Sequence, residues 1–240
     1  MRPVQKLQSG EVLLSGRVVL DSYVPHGSAY LDLDENLGRY CSYCEVFSTD
    51  LEVEHIVSQN QDDTKTHLWS NFLLACGRCN GKDNKSNKHV EINDSYFPHK
   101  NNTLLIFEYR EAGLDMVRGT LLMEQQRKAN DLIDLVGLDK YEGNPKYSAI
   151  LPRDIRWKER RIAWELADRY LADFEKGERT ASDIANFAAQ RGFFSVWVSV
   201  FSNHKDVKEA FVQKFQGTAS NCFDADFNSI PRNPGKPDPI

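Results

Sequence analysis

Two Cys-x-x-Cys pairs, Cys41/Cys44 and Cys76/Cys79, constrain this chain more than any other feature. Thiolates three residues apart converge only where the backbone folds over them in a tight turn. Two such turns supply the four soft donors that suit a tetrahedral zinc ion. The 31 residues between Cys44 and Cys76 then form the loop that the metal closes. Since all four ligands are cysteine, the site is closed and its zinc is structural. A unit this small draws much of its folding free energy from the metal. A lone pair could equally be buried thiols or a redox disulfide, but two pairs flanking a compact insert favour zinc over either. Five cysteines in 240 residues, four of them in this arrangement, fit a metal site rather than a disulfide framework. Cys222 is left over as a free or buried thiol.

The stretch between the pairs carries the chemistry. LEVEHIV alternates, with Leu51, Val53 and His55 on one side and Glu52, Glu54 and Ile56 on the other, which predicts a strand. Residues 58–67 are polar and read as a loop. Asn71 precedes the second pair, Asn80 follows it directly, and residues 80–88 read as a short helix or turn with exposed lysines. An imidazole titrates near neutrality and can take a proton from water, while a carboxylate and an amide oxygen are hard donors for Mg²⁺ or Mn²⁺. A histidine beside a carboxylate is usually satisfied locally. Its position between two cysteine pairs makes the signal stronger here.

Together, Cys41-x-x-Cys44, Glu54-His55, Asn71 and Cys76-x-x-Cys79-Asn80 resemble the HNH endonucleases of the ββα-metal type with an added zinc frame. The resemblance spans residues 41–88, about a fifth of the chain. It implies an α+β fold, in which a zinc-framed ββα-metal core precedes a mainly α-helical C-terminal half. It also implies roles. His55 is the general base, Glu54 and Asn80 hold one catalytic Mg²⁺ or Mn²⁺, and Asn71 braces the loop that orients His55. Asn84, one helical turn on, rivals Asn80 as the ligand. Glu stands here where many relatives have Asp or His, and Asn where the last His of the family name stands, so a hard cation is favoured over a catalytic zinc. Arg78, Lys82, Lys85 and Lys88 are the expected phosphate contacts.

The remaining chain divides by composition. Residues 1–40 are an N-terminal segment with one or two short strands, 41–100 the zinc-bound nuclease core, 101–215 a mainly helical domain, and 216–240 a Pro-rich tail with little periodicity. Helices are expected over residues 120–136, ended by Gly137, and over 154–176, with Ile155, Ile162, Leu166, Tyr170 and Phe174 as the apolar stripe. A third is capped by Thr180 or Ser182 and a last one spans 205–215, while residues 193–201 suit a buried helix or a strand. The basic residues at 153–161 read as surface salt bridges, and His26, His67, His89, His99 and His204 as surface or core histidines. A net charge of −5 argues against a general polyanion binder but leaves room for a local positive face. No apolar run is long enough to cross a membrane and no secretory signal is visible, so a cytoplasmic protein is expected.

The whole-chain layout also resembles, more weakly, the HNH subunits of Septu-type anti-phage defence systems and retron-associated HNH proteins. That implies cleavage of invading DNA beside an ABC/AAA-like ATPase, docked on the helical half and tail. Two other readings stay open: a zinc-stabilised nucleic-acid- or protein-binding module without catalysis, and a restriction or mobile-element HNH nuclease acting alone.

Overall fold

The computed structural model describes residues 1–81, 84–85, 88–91, 94–110, 115–142, 144–147 and 154–240, with backbone alone at 115–116. The architecture is mixed α+β, with a helical C-terminal half. Helix α1, Tyr30–Leu37, leads into the first cysteine turn. The hairpin of β1, Leu51–His55, and β2, Phe72–Cys76, runs antiparallel with Leu51 opposite Cys76 and His55 opposite Phe72, and the short α2, Gly77–Asn80, follows. Helix α1 falls where the sequence shows only alternating apolar and acidic residues. Ala29, Leu33 and Leu37 recur every fourth position and are all buried, which decides for a helix.

A second hairpin, β3 at Phe107–Tyr109 with β4 at Asp115–Val117, precedes α3, Met123–Val136. Gly137 ends α3 in the left-handed conformation, at φ 62°. Leu122 and Met123 are exposed at its start, while Ala129, Leu132, Ile133 and Val136 are buried.

Four helices complete the chain: α4 at Arg156–Glu175, α5 at Ala181–Arg191, α6 at Phe194–Val200 and α7 at Lys205–Lys214. Thr180 caps α5, accepting from the Asp183 amide. The expected stripe on α4 is displaced. Ile155 and Ile162 are exposed, whereas Arg160, Ala163 and Ala167 are buried. Two alanines a turn apart let α6 approach α4 closely, so the larger Trp164, Tyr170 and Phe174 pack at the flanks. The 193–201 run resolves as a helix. Trp197 at its centre is fully buried, in edge contact with Tyr170 and Phe187, and donates its indole N–H to the Gly192 carbonyl at 3.0 Å.

One continuous core joins the zinc unit to the helices. Gly192 (φ 81°) is where they meet. A Cβ there would lie 2.5 Å from the Glu45 carbonyl oxygen, so only glycine lets the turn before α6 pair with Val46 beside the first cysteine pair. The tail, which its composition alone would leave extended, packs instead. Thr218 bridges Val4, and the buried Asn102 amide donates to the Cys222 and Ile230 carbonyls at 2.9 and 2.8 Å. Among the described residues no helix is long and apolar enough to cross a membrane.

Candidate active site and metal centre

The two cysteine pairs converge because β2 carries one and anchors the other. Cys76 ends β2 and Cys79 sits in α2, while the Ser42 amide donates to the Leu74 carbonyl at 2.8 Å and hooks the first turn onto the same strand. That turn closes through Glu45, at φ 67°. All four sulfurs lie within 4.8 Å of one another, and Cys44 Sγ is 3.6 Å from Cys76 Sγ. Four sulfurs about 2.3 Å from a zinc ion stand about 3.8 Å apart, so a modest contraction would seat the metal. The donors fit the ion chemically as well. Hydrogen bonds to the other three sulfurs, then burial, push the Cys44 thiol well above the ordinary range, and burial first does the same for Cys79. A divalent cation removes that penalty by binding thiolate.

The helical half closes over this centre with two arginines. Arg156 Nη1 reaches Cys79 Sγ at 3.2 Å and the Val136 carbonyl at 2.8 Å, and its other nitrogens clasp Asp154 and Gly137. Burial works against that guanidinium, but the neighbouring Cys79 sulfur and Asp154 outweigh it and hold its pKa above the usual value. The buried Arg160 donates to the Cys44 carbonyl at 3.2 Å and lies over the Tyr109 and Phe193 rings. The expectation of surface salt bridges here holds for Arg161 with Glu165 but not for these two, which turn inward, Arg156 to the Cys79 sulfur and Arg160 to the Cys44 carbonyl. Arg153 lies outside the described residues.

His55 ends β1 at the mouth of an open cavity of about 480 Å³ that Glu52, Asn80 and His26 also line. Its Nε2 stands 2.9 Å from the Thr66 carbonyl oxygen, which can only accept, so Nε2 carries the proton and Nδ1 is left with a lone pair. Nδ1 has no hydrogen-bond partner among the described residues. The loop that carries Thr66 is held in turn by Asn71, which is buried at its foot. Asn71 Oδ1 accepts from the Val57 amide at 2.8 Å, and Nδ2 donates to the Val57 and Lys65 carbonyls at 2.9 and 3.2 Å. Asn71 thus lies under the loop that fixes the His55 ring.

Asn80 faces the cavity, and its Nδ2 donates to Glu52 Oε2 at 2.7 Å, leaving Oδ1 for a further contact. Asn84, the rival, is buried elsewhere. Its amide joins the Arg78 carbonyl and the Lys140 ammonium, both at 2.6 Å. Glu54 is not among the residues lining the cavity. It is fully buried, accepts from Tyr43 Oη at 3.0 Å, and pairs with the Lys85 ammonium at 2.5 Å. Alternation would have put Glu52 and Glu54 in one environment. Strand twist over five residues instead leaves Glu52 at the rim and takes Glu54 inside. Burial, with the Glu54 charge next, keeps the Tyr43 phenol protonated well above its usual range, so it stays a donor.

Of the expected phosphate contacts, Lys85 is buried in the Glu54 pair, and Lys88 donates to the Asp134 and Leu135 carbonyls near the end of α3. Arg78 is half-buried on α2, and Lys82 lies outside the described residues. His26 is the neighbour that sequence reasoning missed. Its ring centroid is 4.7 Å from that of His55, and burial, with His55 and His67 adding, lowers its pKa and keeps it neutral. It sits nearly thirty positions before His55, and its only signal in the sequence is that it is a histidine.

Among the described residues the four cysteines are the only His, Cys, Asp or Glu group gathered tightly enough to hold a metal unaided. Residues 39–86 match the HNH endonuclease family. No curated protein matches the chain.

Proposed function

We propose that the unit at residues 39–86, an HNH endonuclease match, hydrolyses phosphodiester bonds of DNA with one Mg²⁺ or Mn²⁺ ion. The observation that carries this reading is the His55 ring. It is fixed through Nε2 on the Thr66 carbonyl, which leaves Nδ1 a free lone pair, and it lines an open cavity together with Asn80. In this reaction Nδ1 takes the proton of the attacking water as the new P–O bond forms. The divalent cation, when bound, supplies charge at the scissile phosphate and the leaving oxygen. Asn80 Oδ1 and a β1 carboxylate would hold it.

Two carboxylates compete for that task. Glu52 already meets the Asn80 amide at the cavity rim, whereas Glu54 becomes available only when a divalent ion displaces the Lys85 ammonium. Parallel assays of Glu52→Gln and Glu54→Gln decide it. The ligand's removal raises the Mg²⁺ concentration needed for half-maximal cleavage at least tenfold, and the other substitution leaves it unchanged. No Mg²⁺- or Mn²⁺-dependent nicking of plasmid DNA by the zinc-loaded protein, alone or with a co-purified partner, would overturn the nuclease reading.

The buried Glu54–Lys85 pair favours one other reading, a zinc-stabilised binding module in which the ammonium fills the cation's place. Duplex binding without cleavage under every divalent ion would support it. On the resemblance of the chain's layout, we place the nuclease in the cytoplasm as a subunit of an anti-phage complex with an ABC/AAA-like ATPase, acting on invading DNA. The exposed Val12, Leu14, Val18 and Leu20 on the residue 11–20 ribbon support a protein partner.

A further inference from the structure

A second cavity, of about 580 Å³, opens between the segment after the zinc unit, α3 and the C-terminal tail. Lys100, Lys128, Arg232, Lys236 and His99 line it, with Asp238 as the one carboxylate. Asp238 is already engaged, accepting from Tyr96 Oη at 2.8 Å, Lys128 Nζ at 3.1 Å and Gln125 Nε2 at 3.2 Å. Those bonds outweigh burial and keep its carboxyl ionised, so it cancels the Lys128 charge and no other. Among the described residues Arg232 donates only to neutral acceptors, the Pro98 and Val4 carbonyls at 3.1 Å and Gln5 Oε1 at 3.3 Å. Lys100 and Lys236 make no ion pair among the described residues.

Three uncancelled cations therefore share one cavity in a chain of net charge −5. His99 adds a neutral donor. Its Nδ1 is buried without a partner among the described residues. Burial first, then the charges of Lys6, Lys100 and Arg232, keep the imidazole from protonating. No open aromatic face is present for a base to stack on, because Tyr96 is buried with its hydroxyl on Asp238. Recognition here rests on an oxyanion alone.

We propose that this cavity binds a phosphate group, held by Lys100, Arg232 and Lys236 and by the N–H of the His99 ring. The site stands on its own lining and does not need His55 to be a catalytic base. A nucleic-acid backbone and free phosphate offer the same group, and the arms of one experiment separate them.

Zinc-loaded full-length protein without Mg²⁺, so that no cleavage occurs, is titrated with inorganic phosphate and separately with a short DNA duplex. The His99 ring resonances are followed in both titrations. The exposed pair Lys100→Ala with Lys236→Ala is compared with a control pair, Lys158→Ala with Lys176→Ala, which removes equal charge elsewhere. For a backbone site, the first pair weakens duplex binding at least tenfold and lowers the salt slope by about two, while phosphate competes and shifts His99. Loss of phosphate binding with duplex affinity unchanged supports the phosphate site and assigns it to the free anion. Equal losses in the control pair, or unmoved His99 resonances with both probes, overturn the proposal.

Discussion

At the scale of single residues, His55 depends on its tautomer. The Thr66 carbonyl fixes Nε2 as the donor, so Nδ1 is the nitrogen left to take a proton in the proposed reaction, and Asn71 holds the loop that carries Thr66. Asn71→Ala should therefore lower cleavage tenfold or more with little change in substrate affinity, because the ring loses its orientation while remaining present. His26→Ala should reduce turnover severalfold at unchanged zinc content, since it removes only the neighbouring ring. Lys6 gives a stability test. Burial lowers its pKa from 10.5 to about 7, although the nearby Glu54 charge resists the fall. Below about 7 both folded and unfolded chains carry that proton. Between about 7 and 10.5 only the unfolded chain does, so stability rises with pH across that window. Melting curves of the wild type against Lys6→Met should show the wild type gaining on the variant as pH rises from 7 to 10. A constant difference would contradict the shift. Of these residues, His55, Asn71 and Asn80 are readable in the sequence because motif spacing reports them. His26 and the fates of Glu52 and Glu54 are not, since strand twist and tertiary approach decide them.

At the scale of elements, the zinc unit and the helical half are mutually dependent. Cys76→Ser should lose zinc and unfold the hairpin along with the site, read by metal analysis and far-UV circular dichroism. Arg156→Ala should destabilise the fold by about 3 kcal/mol, because it leaves the buried Asp154 unpaired and the thiolates without their neighbouring charge. Arg156→Lys should restore only part of that, since an ammonium cannot reproduce the fork that spans Asp154, Cys79 and two carbonyls. Equal thermal stability of all three proteins would contradict the clasp. The extents of α3, α5 and α7 were legible from caps and periodicity, and the 51–55 strand from alternation. The orientation of α4 was not. Its apolar positions suggested one face, yet the close approach of α6 selected the alanines, and Arg156 and Arg160 turned inward to the Cys79 sulfur and the Cys44 carbonyl.

At the scale of the whole molecule, the tail is part of the structure rather than an appendage. Deletion of residues 220–240 should lower the melting temperature, because it exposes the ground under Phe223 and Ile240 and leaves the buried Asn102 amide without its acceptors. The same tail supplies Arg232 and Lys236 to the cationic cavity, so a truncated protein should also lose phosphate binding. The molecule thus separates three tasks. Four cysteines gather in the frame, His55 and Asn80 line one cavity, and the tail completes a distinct cationic one. The measurement that tests this account most directly is Mg²⁺-dependent plasmid cleavage by wild type and His55→Ala, with zinc content and melting temperature recorded on the same preparations. The account predicts that cleavage falls by about 10²- to 10⁴-fold while zinc content and melting temperature stay at wild-type values. Undiminished cleavage by a folded, zinc-loaded His55→Ala protein would contradict it.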